Sequence, residues 1–314
     1  MEATFQTKLP YIEYLDVYAA YFSMLARRLF VDLLIHNKSQ NNLKKEYMRK
    51  YGLTARQFNS LIYSIKGIGA SYVELLRIRI EELEEKIAYL EQWIAKQETK
   101  LKKIKDRTEE KAIRKRKRLL FKLHQKRRRL RNLKHILAKL KKAEANKELH
   151  ICFGGRDLFT KQFHLEKNGY LCHSEWRQDW KEARNNQFFV VGSKDETFGN
   201  QNCTYLPDNC LRLRVANKFA EKYGQYITFS NVTFPYGQEH LDAARQIAGR
   251  QIKSKKHPEG RLAKQFQAAI SYRFIRHNNC WYLLATTERI NGEITTDIKL
   301  GAIGVDLNAG FSSA

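Results

Sequence analysis

The sequence predicts an α+β fold, in which a long helical region separates a short amino-terminal strand from a larger β-rich region. Residues 3–8 alternate apolar and polar side chains, which is typical of a half-buried strand. Apolar residues then recur at spacings of three and four to about residue 146, which predicts helices. After Lys147 aromatic and β-branched residues become frequent and the helical spacing fades. A chain of 314 residues allows about two domains with a sizeable core.

Three amphipathic helices are predicted at the start of the helical region. The first covers residues 11–35 and the second covers residues 39–51. Thr54 is expected to cap the third helix, because its hydroxyl can accept a hydrogen bond from a backbone N–H of the first turn. Gly67 and Gly69 are expected to interrupt this helix.

Two heptad runs follow, one from Leu76 to Leu101 and one from Leu119 to Leu140. The repeat lapses between them, around residues 106–109. This pattern predicts an antiparallel helical hairpin with arms roughly 45–50 Å long. A long dimeric coiled coil is the alternative, and the lapse argues against it.

Positive charge is concentrated in this predicted hairpin. The whole chain has a formal net charge of +25, and residues 96–142 alone contain 22 Lys or Arg and four acidic residues. Residues 111–142 contain 16 basic residues and no acidic one. Such a surface favours contact with a polyanion, because phosphates relieve the repulsion between close like charges. The candidate nucleic-acid-binding residues are Arg114, Lys115, Arg116, Lys117, Arg118, Lys122, Lys126, Arg127, Arg128, Arg129, Arg131 and Lys134. The alternative is a solvated coiled-coil arm.

The β-rich region is expected to form a β-barrel or sandwich to which residues 3–8 contribute a strand. A hairpin turn is predicted at 277–279, and short helices are predicted at 174–184 and 240–252. The predicted strands are residues 188–191, 211–215, 226–229, 270–275 and 281–285.

Basic and aromatic residues are interleaved across the β-rich region, with Arg212 and Arg214 on one strand face, Tyr272 beside Arg273, and Trp281 beside Tyr282. Arg212, Arg214 and Arg273 are therefore further candidates for nucleic-acid contact, with Tyr272 and Trp281 available to stack on bases. The alternative is an ordinary barrel whose aromatic residues form the core.

Several function classes find no support in the sequence. No apolar run is long enough to span a membrane, and the amino terminus lacks the pattern of a secretory signal. Five cysteines in a chain of this length are expected to be buried, reduced thiols in a cytoplasm. No arrangement of a nucleophile with a general base can be supported from residue spacing.

Asp306 follows the short apolar run that begins at Gly301, as the first acidic residue of a ribonuclease-H-like nuclease domain would. Four further segments are equally distinctive, and with this run they resemble the amino-terminal half of TnpB-related proteins, the accessory proteins of bacterial insertion sequences. The five segments are Leu53–Phe58, Leu149–Gly154, Gly192–Thr197, Ala269–Phe274 and Gly301–Asn308.

Relatives of that family are RNA-guided DNA endonucleases, ancestral in type to the type V CRISPR effectors. The resemblance implies a wedge-type β-barrel, formed by residues 1–10 and 147–299, that is interrupted by a helical recognition domain at residues 11–146. It also implies that residues 300–314 begin a RuvC-like nuclease domain in which Asp306 is the first metal-binding carboxylate. Guide RNA and target DNA are the implied partners, Mg²⁺ is the cofactor of the full-length family, and the bacterial cytoplasm with its nucleoid is the location.

The sequence departs from the family after Asn308, where relatives continue with further catalytic carboxylates. We therefore expect this chain to bind nucleic acid without cleaving it, and to need no cofactor by itself. Asp306 would bind metal only if the missing nuclease half were supplied. Two alternatives remain: half of a split nuclease completed by a separate carboxy-terminal polypeptide, or a basic coiled-coil protein that binds RNA generally.

Overall fold

A computed structural model of the chain describes residues 2–104, 109–254, 257–263 and 265–288. The helices in these ranges are α1 (Glu13–Phe30), α2 (Gln40–Tyr51), α3 (Ala55–Lys103), α4 (Glu110–Ala145), α5 (Arg156–Lys161), α6 (His173–Arg184), α7 (Ala220–Tyr223) and α8 (Gln238–Ala244). The strands are β1 (Glu2–Leu9), β2 (Gln187–Val190), β3 (Cys203–Tyr205), β4 (Leu211–Arg214), β5 (Tyr226–Phe229), β6 (Arg250–Ser254), β7 (His257–Ala263), β8 (Ser271–His277) and β9 (Cys280–Glu288). The predicted α+β class is confirmed.

The helical prediction is confirmed except at two glycines. A π-helical turn, Val31–Ile35, extends α1 to the predicted end of the first helix. Thr54 caps α3 through a reciprocal pair of hydrogen bonds with Gln57. The expected interruption at Gly67 and Gly69 is wrong, because α3 is one helix of 49 residues. The packing of its buried face outweighs the weak helix propensity of two glycines.

Strands from the two ends of the described chain pair with each other. The first strand, β1, is antiparallel to β9 over eight residue pairs, from Glu2↔Glu288 to Leu9↔Trp281. The predicted turn between β8 and β9 is confirmed, and Asn278 and Asn279 have φ values of 48° and 59°. Positive φ at both central residues is the requirement of a type I′ hairpin turn. The resulting sheet has the order β1-β9-β8-β2.

Two other sheets complete the described β structure, with the orders β3-β4-β5 and β6-β7. In the residues described, none of the three sheets closes into a barrel. The predicted helix at 240–252 is wrong beyond Ala244, since α8 ends there and β6 begins at Arg250. Gly249, with a φ of 73°, lies at the change from helix to strand.

One hydrophobic core joins the helical and β-rich regions. Phe188 of β2 stacks on Phe274 of β8 with ring centroids 4.4 Å apart, and Tyr18 of α1 meets Phe188 edge to face. The indole Nε1 of Trp281 donates a hydrogen bond to Asp16 at 3.0 Å. Helix α1 is therefore fixed directly on the four-stranded sheet.

The segment at residues 192–197 is a tightly packed connection that follows β2. A Cβ atom at Gly192 would lie 2.2 Å from the carbonyl oxygen of Ile270 and 2.4 Å from that of Gly199. Both neighbours are backbone atoms, so they cannot rotate away as a flexible side chain would. The glycine in this distinctive segment is thus explained by close backbone approach.

Substituting the two glycines Gly192 and Gly67 with alanine should change stability in opposite directions. Gly192→Ala should lower the free energy of unfolding by about 1–3 kcal/mol, because the added methyl group must displace backbone. Gly67→Ala should raise it by about 0.5–1 kcal/mol, since no atom lies within 4 Å of a Cβ there and alanine favours the helix. Urea unfolding of both variants checks the pair, and a stabilising Gly192→Ala would contradict the packing described.

Candidate nucleic-acid interface

Helices α3 and α4 form the predicted antiparallel hairpin. The heptad positions of α3 are buried against α4 at Leu76, Ile80, Leu83, Ile87, Leu90 and Ile94. On α4, Leu123 is 1% exposed at the centre of the same seam. With 36 residues, α4 is about 54 Å long. The alternative of a dimeric coiled coil is not needed to bury this seam.

A ladder of ion pairs runs along one flank of the seam. Arg127 pairs with Glu98 at 2.6 Å, and Lys134 pairs with Glu91 at 2.5 Å. Lys141 pairs with Glu84 one heptad further on. Each step moves seven residues forward on α4 and seven back on α3, so the same heptad position is used throughout. These pairs are about half exposed, and each stabilises the hairpin by at most about 1 kcal/mol.

The ladder divides the predicted basic residues into groups. Arg127 and Lys134 belong to it, and Arg114 pairs with Glu110 within α4. The ammonium of Lys126 lies 5.6 Å from the ring centroid of Trp93. The exposed candidates that form no ion pair with a described residue are Lys115, Lys117, Arg118, Lys122, Arg128, Arg129 and Arg131. Arg116 is also exposed. Helix α3 therefore pairs with the basic residues on one flank of α4.

The candidates on the strands lie on two different sheets. Arg212 and Arg214 of β4 both lie over the ring of Tyr226, at 4.8 and 5.1 Å from its centroid. Arg214 also donates to Gln225 and Asn217, which restrains it within the protein. Arg273 of β8 is exposed, and its guanidinium lies 5.6 Å from the ring of Phe189.

The expected stacking role of two aromatic residues is wrong. Tyr272 is fully buried and Trp281 is 1% exposed, so neither can reach a base. Both side chains point to the core face of their strands, where period-two alternation places them. The alternative of an aromatic core is the one that the structure confirms here.

A cleft of about 1410 Å³ lies where the base of the hairpin meets the four-stranded sheet. Arg273 is the one candidate from the sequence that lines it. The other Lys and Arg residues of its wall are Arg27, Arg79, Lys139, Lys142, Arg156 and Arg184. These residues come from α1, α3, α4, α5 and α6, so no window of the sequence contains their cluster. The acidic residue of the wall is Glu148, which is already hydrogen-bonded to Asn146 and His150.

Asp306 and the Gly301–Asn308 segment lie outside the described residues. Within the described ranges, no group of three or more His, Cys, Asp or Glu side chains could hold a metal ion. All five cysteines are free thiols, as predicted, but the expected burial is wrong for four of them, because Cys203 is buried, Cys172 is exposed and the other three are partly exposed. None of the described helices has both the length and the apolar character required to cross a bilayer.

Comparison of the chain with family models, with curated proteins and with solved structures found no match. The assignment of a function therefore depends on the charge distribution and geometry described above.

The register of the hairpin predicts which side chains a zero-length cross-linker should join. A carbodiimide should link Glu91 to Lys134 and Glu84 to Lys141, because amide formation requires the carboxylate and the amine to be in contact. Mass spectrometry of the digested monomer checks both links. Lys122 and Lys139, which form no ion pair with a described residue, serve as internal controls. Links from Glu91 to Lys122, or links between two chains, would contradict the hairpin.

Proposed function

We propose that this chain is the nucleic-acid-binding portion of a TnpB-like RNA-guided DNA endonuclease, with guide RNA and target DNA as its partners. The observation that carries the proposal is the exposed, unpaired basic surface of α4 beside a flank that is neutralised by the ion-pair ladder. We call this surface the open basic face, and it consists of Lys115, Lys117, Arg118, Lys122, Arg128, Arg129 and Arg131.

The charge distribution favours a polyanion over a protein partner or plain solvation. The glutamates of α3 could have been matched by an equal number of basic residues on α4, yet α4 carries many more. The surplus lies on exposed positions, where like charges repel one another unless counterions or phosphates neutralise them. Release of condensed counterions from a nucleic acid gives a large driving force to a surface of this kind.

The order of elements supports the same family. A helical region, α1 to α4, is inserted between β1 and the other strands of one sheet, because β1 pairs with β9. This is the plan that the resemblance implies, with a recognition insert inside a β domain. In this proposal Asp306 acts as a metal-binding carboxylate only together with carboxylates from a further polypeptide segment. The proposed location is the bacterial cytoplasm, in association with the nucleoid.

Two triple variants with the same change in net charge test the role of the open basic face. Replacing Lys122, Arg128 and Arg129 by Gln should weaken binding to a structured RNA by at least about ten-fold at roughly 100 mM salt. The slope of log affinity against log salt should fall by about 2–3, because about 0.7–0.9 counterions are released per phosphate contact.

The matched control replaces the ladder residues Arg127, Lys134 and Lys141 by Gln. It should change the slope by less than about 1, since these charges are already paired with glutamates. Fluorescence anisotropy titrations at several salt concentrations give both quantities. Equal effects of the two variants would mean that total charge, and not the open basic face, governs binding.

RNA that co-purifies with the chain separates guide binding from general RNA binding. A guide-binding protein should retain one predominant transcript, and sequencing of the bound RNA should show its strong enrichment over the cellular pool. Bulk transfer RNA should compete poorly with that transcript. Bound RNA with the composition of the cell's total RNA would favour the alternative, a basic coiled-coil protein that binds RNA generally.

A further inference from the structure

Two arginines face the cleft at the base of the hairpin, and neither pairs with a carboxylate of the described residues. The Nη1 atom of Arg27 donates to two neutral oxygens, the Arg184 carbonyl at 3.3 Å and Asn185 Oδ1 at 3.4 Å. The Nε atom of Arg184 is buried and has no hydrogen-bond partner among the described residues. The guanidinium of Arg184 lies over the ring of Trp180, 5.5 Å from its centroid. Both cations are therefore held in place by neutral groups.

Two positive charges on one cleft wall repel each other. Burial, and then the neighbouring charge of Arg184, lowers the pKa of the Arg27 guanidinium from its usual range. Both groups nevertheless remain charged at neutral pH, because an arginine is not deprotonated in proteins. An anion bound in the cleft beside the two guanidinium groups would relieve the repulsion between them.

The backbone beside Arg184 is shaped to admit its side chain. Gly154 has a φ of 99°, and a Cβ atom there would lie 2.6 Å from Cγ of Arg184 and 3.0 Å from the Trp180 ring. Any residue with a side chain at position 154 would displace the arginine from the cleft wall. Gly154 ends the distinctive Leu149–Gly154 segment, so that segment has a structural role at the cleft.

We propose that the cleft is a binding site for single-stranded nucleic acid, in which a phosphate group lies between Arg27 and Arg184. This inference depends on the proposed nucleic-acid function and adds a second, separate contact to it. The chemistry common to all candidate ligands is a phosphate ester, either within a strand or at its 5′ end.

Exposed aromatic rings on the cleft wall favour a single strand over a duplex. Tyr63 is 63% exposed and Phe159 is 39% exposed, and both line the cleft. A single strand offers the faces of its bases for stacking on such rings, whereas a duplex hides them inside its own stack. The rings and the arginine pair together match a nucleotide, which has an aromatic base at one end and a phosphate at the other.

Removal of one charge from the pair tests the site. Arg184→Gln should weaken binding of a single-stranded 15-residue oligonucleotide by about ten-fold, as expected for the loss of a charged hydrogen bond in a desolvated site. Lys181→Gln is the matched control, because Lys181 is exposed on the same helix and does not line the cleft. It should change the affinity by less than about two-fold.

Tyr63→Leu should weaken single-strand binding and leave duplex binding unchanged.

Thermal unfolding shows whether weaker binding by Arg184→Gln is caused by a loss of folded structure. The melting temperature of Arg184→Gln without ligand should not fall below that of the parent chain, because the substitution removes a repulsion. Inorganic phosphate should raise the melting temperature of the parent chain above that in chloride at equal ionic strength, and this difference should disappear in Arg184→Gln. If Arg184→Gln melts lower, Arg184→Lys, which restores the charge, should recover the phosphate response.

The outcomes separate this inference from the proposed function. The affinity for an oligonucleotide with a 5′ phosphate is compared with that for the same oligonucleotide with a 5′ hydroxyl. Tighter binding of the first identifies the terminal phosphate as the ligand, and equal binding identifies an internal phosphate. In either case, a dependence of the affinity on Arg184 supports the site. An unchanged affinity in Arg184→Gln, with weaker binding when the open basic face is neutralised, would overturn the site and leave the proposed function standing. If neither variant weakens binding, both are wrong.

Discussion

The pairing of β1 with β9 is the constraint on which the rest of the structure depends. It joins strands from the two ends of the described chain over eight residue pairs. Because β1 leads directly into α1, the pairing fixes the start of the helical region against the sheet. The aromatic contacts of Tyr18, Phe188 and Phe274 then hold α1 there. The base of the hairpin, and with it the cleft, is positioned by this attachment.

Helix α4 carries two kinds of positive charge. Some of its basic residues pair with glutamates of α3 and stabilise the hairpin, and others form no ion pair with a described residue. The ladder pairs the basic residues at one heptad position of α4 with Glu98, Glu91 and Glu84 of α3. The residues of the open basic face form no ion pair with a described residue. A helix that needed its charges only for folding would be expected to balance them, as α3 largely does. The surplus of positive charge on α4 is the feature on which the proposal of a polyanionic partner rests.

In the proposed function, the cleft would give the β-rich region a part in binding nucleic acid. Its basic wall combines residues from the hairpin base with Arg27 of α1 and Arg273 of β8. Arg27 and Arg184 form no ion pair with a described carboxylate, so their positive charges remain available to an anion in the cleft. In the proposal, the open basic face would contact the phosphate backbone of the nucleic acid. The cleft, with its exposed aromatic rings, would contact unpaired bases. Together they would distinguish a strand that is paired from one that is not.

The sequence by itself determined the class of the fold and the main elements of it. Heptad spacing identified both arms of the hairpin, and period-two alternation identified β1, β5 and the β8–β9 hairpin, because these signals are local. The continuity of α3 through Gly67 and the change to strand after Ala244 were missed, since tertiary packing outweighs local propensity at those points. The basic composition of α4 was equally plain, but which of its charges are paired depends on the facing helix. The position of Arg27 beside Arg184, 157 residues apart in the chain, was decided by the tertiary structure alone, because α1 packs against β2, the strand that follows α6.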